Sequence, residues 1–279
     1  MKQLIATCLV VLIAFSCTNT PTKTEGAKQQ QPVAVKTTAA LPPYEFAFVD
    51  TTGKRLRALD YQEQPDSLTR AACPGKEMLA IRFIGKKEGT QKNSGRDTAA
   101  NFEAGGGFYY QILNGQTTED TICLLTDERF FAGKTALPLL SGSEKTDAIT
   151  KERIEKAKRR RVKEAWGIGR LAPDREFYLV LFERQDDTAL FSIVMATPSK
   201  LVFLDFLGSY KDEGSVWRVD DGGEIDPLFF DIVLAFESGQ GIEFMYSWRG
   251  AEGDSVGFVQ EAGDVFRAIK SSYKYTSPL

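Results

Sequence analysis

From residue 175 onward the chain is a succession of strand-length apolar segments separated by polar breaks, with no helix-length apolar period among them. The segments cover residues 177–183, 189–196, 201–210, 216–220, 229–237, 242–248, 256–260 and 266–275. Each is rich in the β-branched and aromatic residues that suit a pleated, half-buried surface. Most connections are short, as in Gln185-Asp186-Asp187-Thr188, and strands joined by so few residues run antiparallel. So many consecutive strands predict an antiparallel meander folded into a sandwich or a barrel-like form. No fixed-period repeat accompanies them, which argues against a propeller.

The first half reads in the same way, with strands over 44–50, 55–61, 77–84, 108–113 and 121–125 and a turn at Thr51-Thr52-Gly53-Lys54. Residues 85–107 interrupt it with a polar, glycine-rich stretch ending Gly105-Gly106-Gly107. A connection of that length inside a compact domain is either mobile or functional. One helix is expected over 147–166, with Thr146 or Asp147 as its cap, basic residues in its second half, and Gly167 and Gly169 beyond its end. Its apolar stripe of Ile154, Ala157, Val162, Ala165 and Trp166 is interrupted by Lys158 and Arg161, so the helix should lie on a surface. The expected fold is therefore mainly β, with a basic helix (146–169) between a β-rich region (44–145) and an antiparallel β region (170–279).

The break Ser238-Gly239-Gln240-Gly241 permits a register argument. A two-residue turn pairs Phe236 with Glu243 and mixes polar with apolar residues on both faces. An odd loop pairs Phe236 with Ile242, Leu234 with Phe244, Ile232 with Tyr246 and Phe230 with Trp248, giving one apolar face and sending Asp231, Glu237, Glu243 and Ser247 to water. The odd loop is the expected one.

The N-terminus has a different character. Lys2 precedes an apolar run over 4–15, of signal-peptide length and too short to span a bilayer. The run ends Ala14-Phe15-Ser16-Cys17, which resembles the lipobox of bacterial lipoproteins, with Ala14 in place of the usual leucine. The resemblance covers only this terminus. It implies removal of residues 1–16 as a signal peptide and acylation of Cys17, with several acyl chains giving a firm membrane anchor. A secreted, unlipidated chain is the alternative. Residues 17–43 are rich in Thr, Lys, Gln, Pro and Ala, too poor in large apolar groups to offset their ordering entropy, and read as a tether. Thr18-Asn19-Thr20-Pro21 lacks the acidic pair that directs some lipoproteins to the cell surface, so the periplasmic face of the outer membrane is the expected location.

Cys8 lies in the signal peptide and Cys17 at the acylation site, leaving Cys73 and Cys123 as a disulfide candidate in an oxidising compartment. Two separate buried thiols are the alternative. No Cys-x-x-Cys motif is present, so a thioredoxin-like role has no support.

The chain contains no histidine, which removes His-based triads, histidine general bases and nearly all zinc-site architectures. Its net charge of −3 gives no sign of a nucleic-acid binder. The acidic loop holding Asp220, Asp221, Glu224 and Asp226 offers carboxylate oxygens of the kind that hold Ca²⁺, although its spacing is not that of an EF-hand and a solvated turn is the simpler reading. Lys156, Lys158, Arg159, Arg160, Arg161 and Lys163 form a basic cluster suited to anionic lipid head groups, or else a solvated face answered by Glu152, Glu155 and Glu164. Gly133-Lys134-Thr135 resembles the end of a P-loop, but the first glycine of that pattern would fall on Glu128. Ser271-Ser272-Tyr273-Lys274 satisfies Ser-x-x-Lys but lies in a terminal strand, without the companion motifs. Glycoside hydrolysis by paired carboxylates needs no histidine, and Asp205, Asp231, Glu237 and Glu243 are available for it. Trp217 and Trp248 sit at strand-core spacing, as packing residues rather than sugar platforms. The expected function is a lipid-anchored, non-catalytic envelope protein that binds a partner protein, glycan or lipid head group; the alternative is a carboxylate-dependent hydrolase of envelope polysaccharide.

Overall fold

A computed structural model describes residues 42–277 apart from 76–77, 142–145, 172–173, 212–213, 217–224 and 251. Six short strands, β1 (Glu45–Val49), β2 (Arg55–Ala58), β3 (Arg70–Ala72), β4 (Leu79–Lys87), β5 (Gly107–Ile112) and β6 (Ile122–Thr126), close into a barrel in the order β1-β2-β5-β4-β3-β6. The last gap shuts where Ala47 of β1 stands opposite Cys123 of β6. Strand alternation sends Ala47, Val49, Leu56, Ala58, Ala71 and Leu125 inward around Phe108 and Tyr110. Barrel diameter grows with strand number, so six strands leave a narrow interior that small side chains suit. Gly53 turns β1 into β2 at φ +72°, and a Cβ there would lie 2.1 Å from the Thr117 carbonyl oxygen. Only glycine fits that turn.

The second half forms a ten-stranded sheet from β7 (Thr135–Ala136), β8 (Val162–Arg170), β9 (Glu176–Phe182), β10 (Thr188–Ala196), β11 (Leu201–Lys211), β12 (Gly214–Val216), β13 (Phe230–Ser238), β14 (Gly241–Arg249), β15 (Gly253–Ala262) and β16 (Val265–Tyr275). Two antiparallel meanders, β8 to β11 and β13 to β16, meet through the parallel pair Phe203 and Val265, while β12 hangs from β11. The outer edges are brought together by the strap 135–140. Leu137 N–H donates to Ala235 C=O on β13 at 2.9 Å, and Leu140 and Arg170 of β8 exchange both backbone bonds at 2.9 Å. The sheet therefore curls around a large core that includes Phe177, Leu179, Phe191, Ile193, Phe244 and Trp248.

The sheet's other face meets the barrel. Phe46 and Leu124, on the outside of the barrel, pack with Phe236, Met245 and Phe258. Between them α1 (Glu128–Phe131) inserts Phe130, whose ring lies edge-on to Tyr44 and Phe236 at 5.7 and 5.1 Å. A longer helix, α2 (Ala148–Lys158), covers the outer side of β9 and β10 by burying Ile154 against Tyr178, Val180 and Val194.

The predicted mainly antiparallel β class, with one basic helix between two β-rich halves, is what the structure shows. Three details differ. The helix over 147–166 ends at Lys158 because Arg159 turns left-handed, with φ 51°, and its N–H caps the Glu155 carbonyl. Residues 162–170 then form β8, where ladder pairing to β9 and burial of Trp166 and Ile168 against the curled core override helix propensity. Gly167 and Gly169 are strand residues rather than helix stops.

The hairpin register is a second correction. Ser238 pairs with Gly241 across the two-residue turn Gly239-Gln240, so Glu237 faces Ile242 and Phe236 faces Glu243. A bulge at Val233 shifts the ladder, and the expected pairs Ile232 with Tyr246 and Phe230 with Trp248 then hold. One strand thus carries two registers, each suited to what covers it. The third difference concerns 127–145: β7 belongs to the second sheet, so the chain crosses over before residue 145.

Candidate functional site

The seam between barrel and sheet opens into a groove of about 870 Å³. One wall is the end of β3 and the loop after it, with Ala72, Cys73, Gly75 and Met78. The opposite wall is the bulged part of β13, residues 233–236. The strap supplies the rest: Phe131, Lys134, Ala136, Leu137, Pro138 and Leu139. The lining follows from the fold, because the strap must expose one side to the cleft while its other side seals the curled core.

Among the described lining residues only Lys134 has a side chain with strong hydrogen-bonding groups. Its ammonium lies 2.5 Å from Glu243 Oε2 and 3.7 Å from the centre of the Phe130 ring, on the negative face of its quadrupole. Glu243 is buried and also accepts from Gln260 Nε2 at 3.0 Å. Burial first, and then the nearby Glu243 and Asp127 charges, push the Tyr44 phenol up to about 12. The polar base of the groove is thus a neutralised pair of which the ammonium has donor capacity to spare.

A second polar cluster closes one end of the barrel. Glu45 is fully buried and lies 3.2 Å from Lys270 Nζ of β16, which also holds Asp60 at 2.8 Å. Phe46 N–H donates to Glu45 Oε1 at 2.7 Å, and Gln62 donates to its other oxygen. Burial raises the Glu45 carboxyl, against the pull of the Lys270 charge. The Tyr110 hydroxyl is buried with no hydrogen-bond partner among the described residues, and burial followed by the Glu45 charge raises its pKa. At the other end of β1, burial would raise the Asp50 carboxyl, but donors from Thr52, the Lys54 and Arg55 backbone and the Arg55 side chain outweigh it and hold the group low.

The residues singled out in the sequence are scattered. Cys73, just past the end of β3, and Cys123 of the adjoining β6 are bonded, with Cα atoms 4.5 Å apart. Cys17 lies outside the described residues, as do Asp220, Asp221, Glu224 and Trp217. Asp226 caps a short turn by accepting from Leu228 N–H at 2.9 Å. Among the described residues no group of three or more His, Cys, Asp or Glu is placed to hold a metal.

The basic cluster divides at the helix end. Lys158 is held by Asp205 at 2.5 Å and lies over the Phe203 ring; Arg160 binds the Glu183 and Thr188 carbonyls, each at 2.8 Å. Lys156, Arg159, Arg161 and Lys163 are exposed. Of the candidate acid–base carboxylates, Asp231 is exposed and Glu237 is held by Arg175 at 2.6 Å. Glu243, expected to face water, keeps to the side of β14 opposite Ile242 and Phe244 but is buried there, because that face packs against the barrel and Lys134 covers the carboxylate. Trp248 is core, stacked on Phe230 at 5.0 Å. The lysines of the two rejected motifs lie far from such chemistry: Lys134 lines the groove beside Glu243, and Lys274 is buried with its ammonium on the Asp120 carbonyl at 2.9 Å. The long connection expected over 85–107 is shorter, because β4 runs on to Lys87 and β5 begins at Gly107; residues 88–106 are knit by Asn101, which bonds Asn93, Ser94 and Arg96, and by the Tyr109 hydroxyl on the Phe102 and Gly105 carbonyls.

Sequence reasoning missed the groove because its walls come from three distant segments of ordinary apolar residues. It also missed Glu45, for which a signal existed: the alternation places it on the same side of β1 as Ala47 and Val49. No protein-family model, no curated protein and no solved structure matches the chain. No described helix is long and apolar enough to cross a membrane.

Proposed function

We propose that the chain is a lipid-anchored protein of the bacterial cell envelope, held by acyl groups on Cys17 at the periplasmic face of the outer membrane. Its folded part is a non-catalytic binding module that works through the groove between barrel and sheet. The observation that carries the binding reading is the groove itself: about 870 Å³, within the range of small-molecule sites, with a described lining that is apolar apart from Lys134. The engagement of Asp205, Glu237 and Glu243 by Lys158, Arg175 and Lys134 also favours binding over acid–base work by those carboxylates. The disulfide agrees with export, since such bonds persist in oxidising compartments.

A hydrolase of envelope polysaccharide is the second reading, and one observation favours it. Glu45 and Asp60 converge on Lys270, and burial raises Glu45 while Asp60 is half-exposed, two carboxyl groups in unlike environments as acid–base work by a pair requires. Hydrolysis of envelope glycan that is lost in Glu45→Gln would establish this reading in place of the first.

Intact mass and detergent partitioning of the native chain, beside Cys17→Ser, test the anchor. Loss of residues 1–16, added acyl mass and partitioning into detergent that the variant lacks are the expected results. An unlipidated, water-soluble native chain contradicts the anchor.

A further inference from the structure

We propose that the groove takes the aliphatic chain of an anionic single-chain amphiphile, such as a fatty acid, with its head group at Lys134. This rests on the binding-module reading and names the ligand class of that site. A glycan needs many hydrogen-bonding side chains, and the described lining supplies one. An extended peptide needs a free strand edge, and the β13 edge along the groove is already paired with β7, continuing to the Leu137–Ala235 bond. An alkyl chain needs neither, only contact with groups such as Met78, Leu139 and Val233, and Met78 adds a flexible side chain that adapts to its occupant.

The head-group choice follows from charge. Among the described lining residues Lys134 alone is charged, and its ammonium has three donors, of which one serves Glu243 while the Phe130 ring covers another side. The remaining donor can meet a carboxylate or phosphate oxygen at the groove. Because Glu243 already neutralises Lys134, most of the affinity comes from the chain and a smaller part from the head.

The test is calorimetric titration of the full-length Cys17→Ser chain, free of detergent, with decanoate, dodecanoate and tetradecanoate below their micelle concentrations, and with dodecylamine. The expected result is saturable binding at one site that tightens about fourfold per added methylene until the groove is full, with dodecanoate bound more tightly than dodecylamine. Leu139→Glu should abolish it. Ala136→Trp, at an exposed strap position whose side chain would fill the groove, should weaken it at least tenfold while the thermal unfolding of the chain is unchanged. Absence of saturable binding, affinity independent of chain length, or equal binding by folded Ala136→Trp overturns the proposal. Retention of an envelope glycan or peptide by a chain that ignores all four amphiphiles overturns this ligand class and leaves the binding-module reading standing. An unlipidated native chain overturns the anchor and leaves this proposal standing.

Discussion

The two β bodies solve the same problem, a sheet with edges, in different ways. The barrel removes its edges by hydrogen bonding β1 to β6 and adds a disulfide between neighbouring strands inside a narrow core. The second sheet stays open and is gathered by light ties: the Phe203–Val265 pair at one seam, and a strap touching β13 and β8 at the other. Its aromatic residues fill the larger space this leaves. The difference teaches where a site can form: a closed, clamped barrel has no room to spare, whereas the strap that gathers the open sheet is what walls the groove.

Perturbations should separate the two bodies. The largest effect is expected from Phe130→Ala, which empties the junction at a cost of about 3–5 kcal/mol and should split one denaturation transition into two. Trp166 and Trp248 belong to β8 and β14, so their fluorescence reports the second sheet, and the near-ultraviolet tyrosine signal, which includes Tyr109 and Tyr110 of β5, adds the barrel. A single sharp transition by both probes in the variant would break the comparison. Replacing Cys73 and Cys123 together by alanine opens a loop with a separation of 50 residues, costing up to about 4 kcal/mol on the loop-entropy model. The loss should appear first in the barrel signals, and an earlier loss of tryptophan signal would place the clamp's effect in the wrong body.

Gly53→Ala is expected to cost about 2 kcal/mol or more, since it combines a positive φ with a backbone collision; urea denaturation measures it. Smaller and sharper is the pH signature of the two ends of β1. Glu45 is raised in the fold, so its burial costs stability at neutral pH, and that cost is relieved as pH falls through the raised value toward its unfolded one. Asp50 is lowered, so it stabilises above its unfolded value and that contribution disappears as pH falls through the lowered one. Relative to wild type, Glu45→Gln should therefore be at its best at neutral pH and lose that advantage in acid. Asp50→Asn should be at its worst at neutral pH and approach wild type in strong acid. Parallel slopes for the two variants would contradict the assignment. The smallest effect belongs to Ala136→Trp, within about 0.5 kcal/mol for an exposed position.

Most strands were legible because burial of one face imprints a two-residue period, as in 242–248 and 266–275, which reappear as β14 and β16. What the pattern could not show were features decided by distant partners. β3 and β7 are three and two residues long, too short to carry a period. Residues 162–166 continue the helix-like composition before them, and the pairing with β9 makes them a strand. The hairpin rule chose one register for the whole strand, while the Val233 bulge permits one register under the barrel and another over the curled core. The groove combines both kinds of blindness: it is made of a short strand, a bulge and a loop brought together where the barrel packs on the second sheet.

Hydrogen exchange of the full-length Cys17→Ser chain with and without dodecanoate tests most directly whether the join of the two bodies is the working site. Added protection over the strap 131–140 and β13, with the barrel strands unchanged, is the predicted result. Protection confined to the basic corner at Arg159 and Arg161, or none anywhere at saturation, would contradict it.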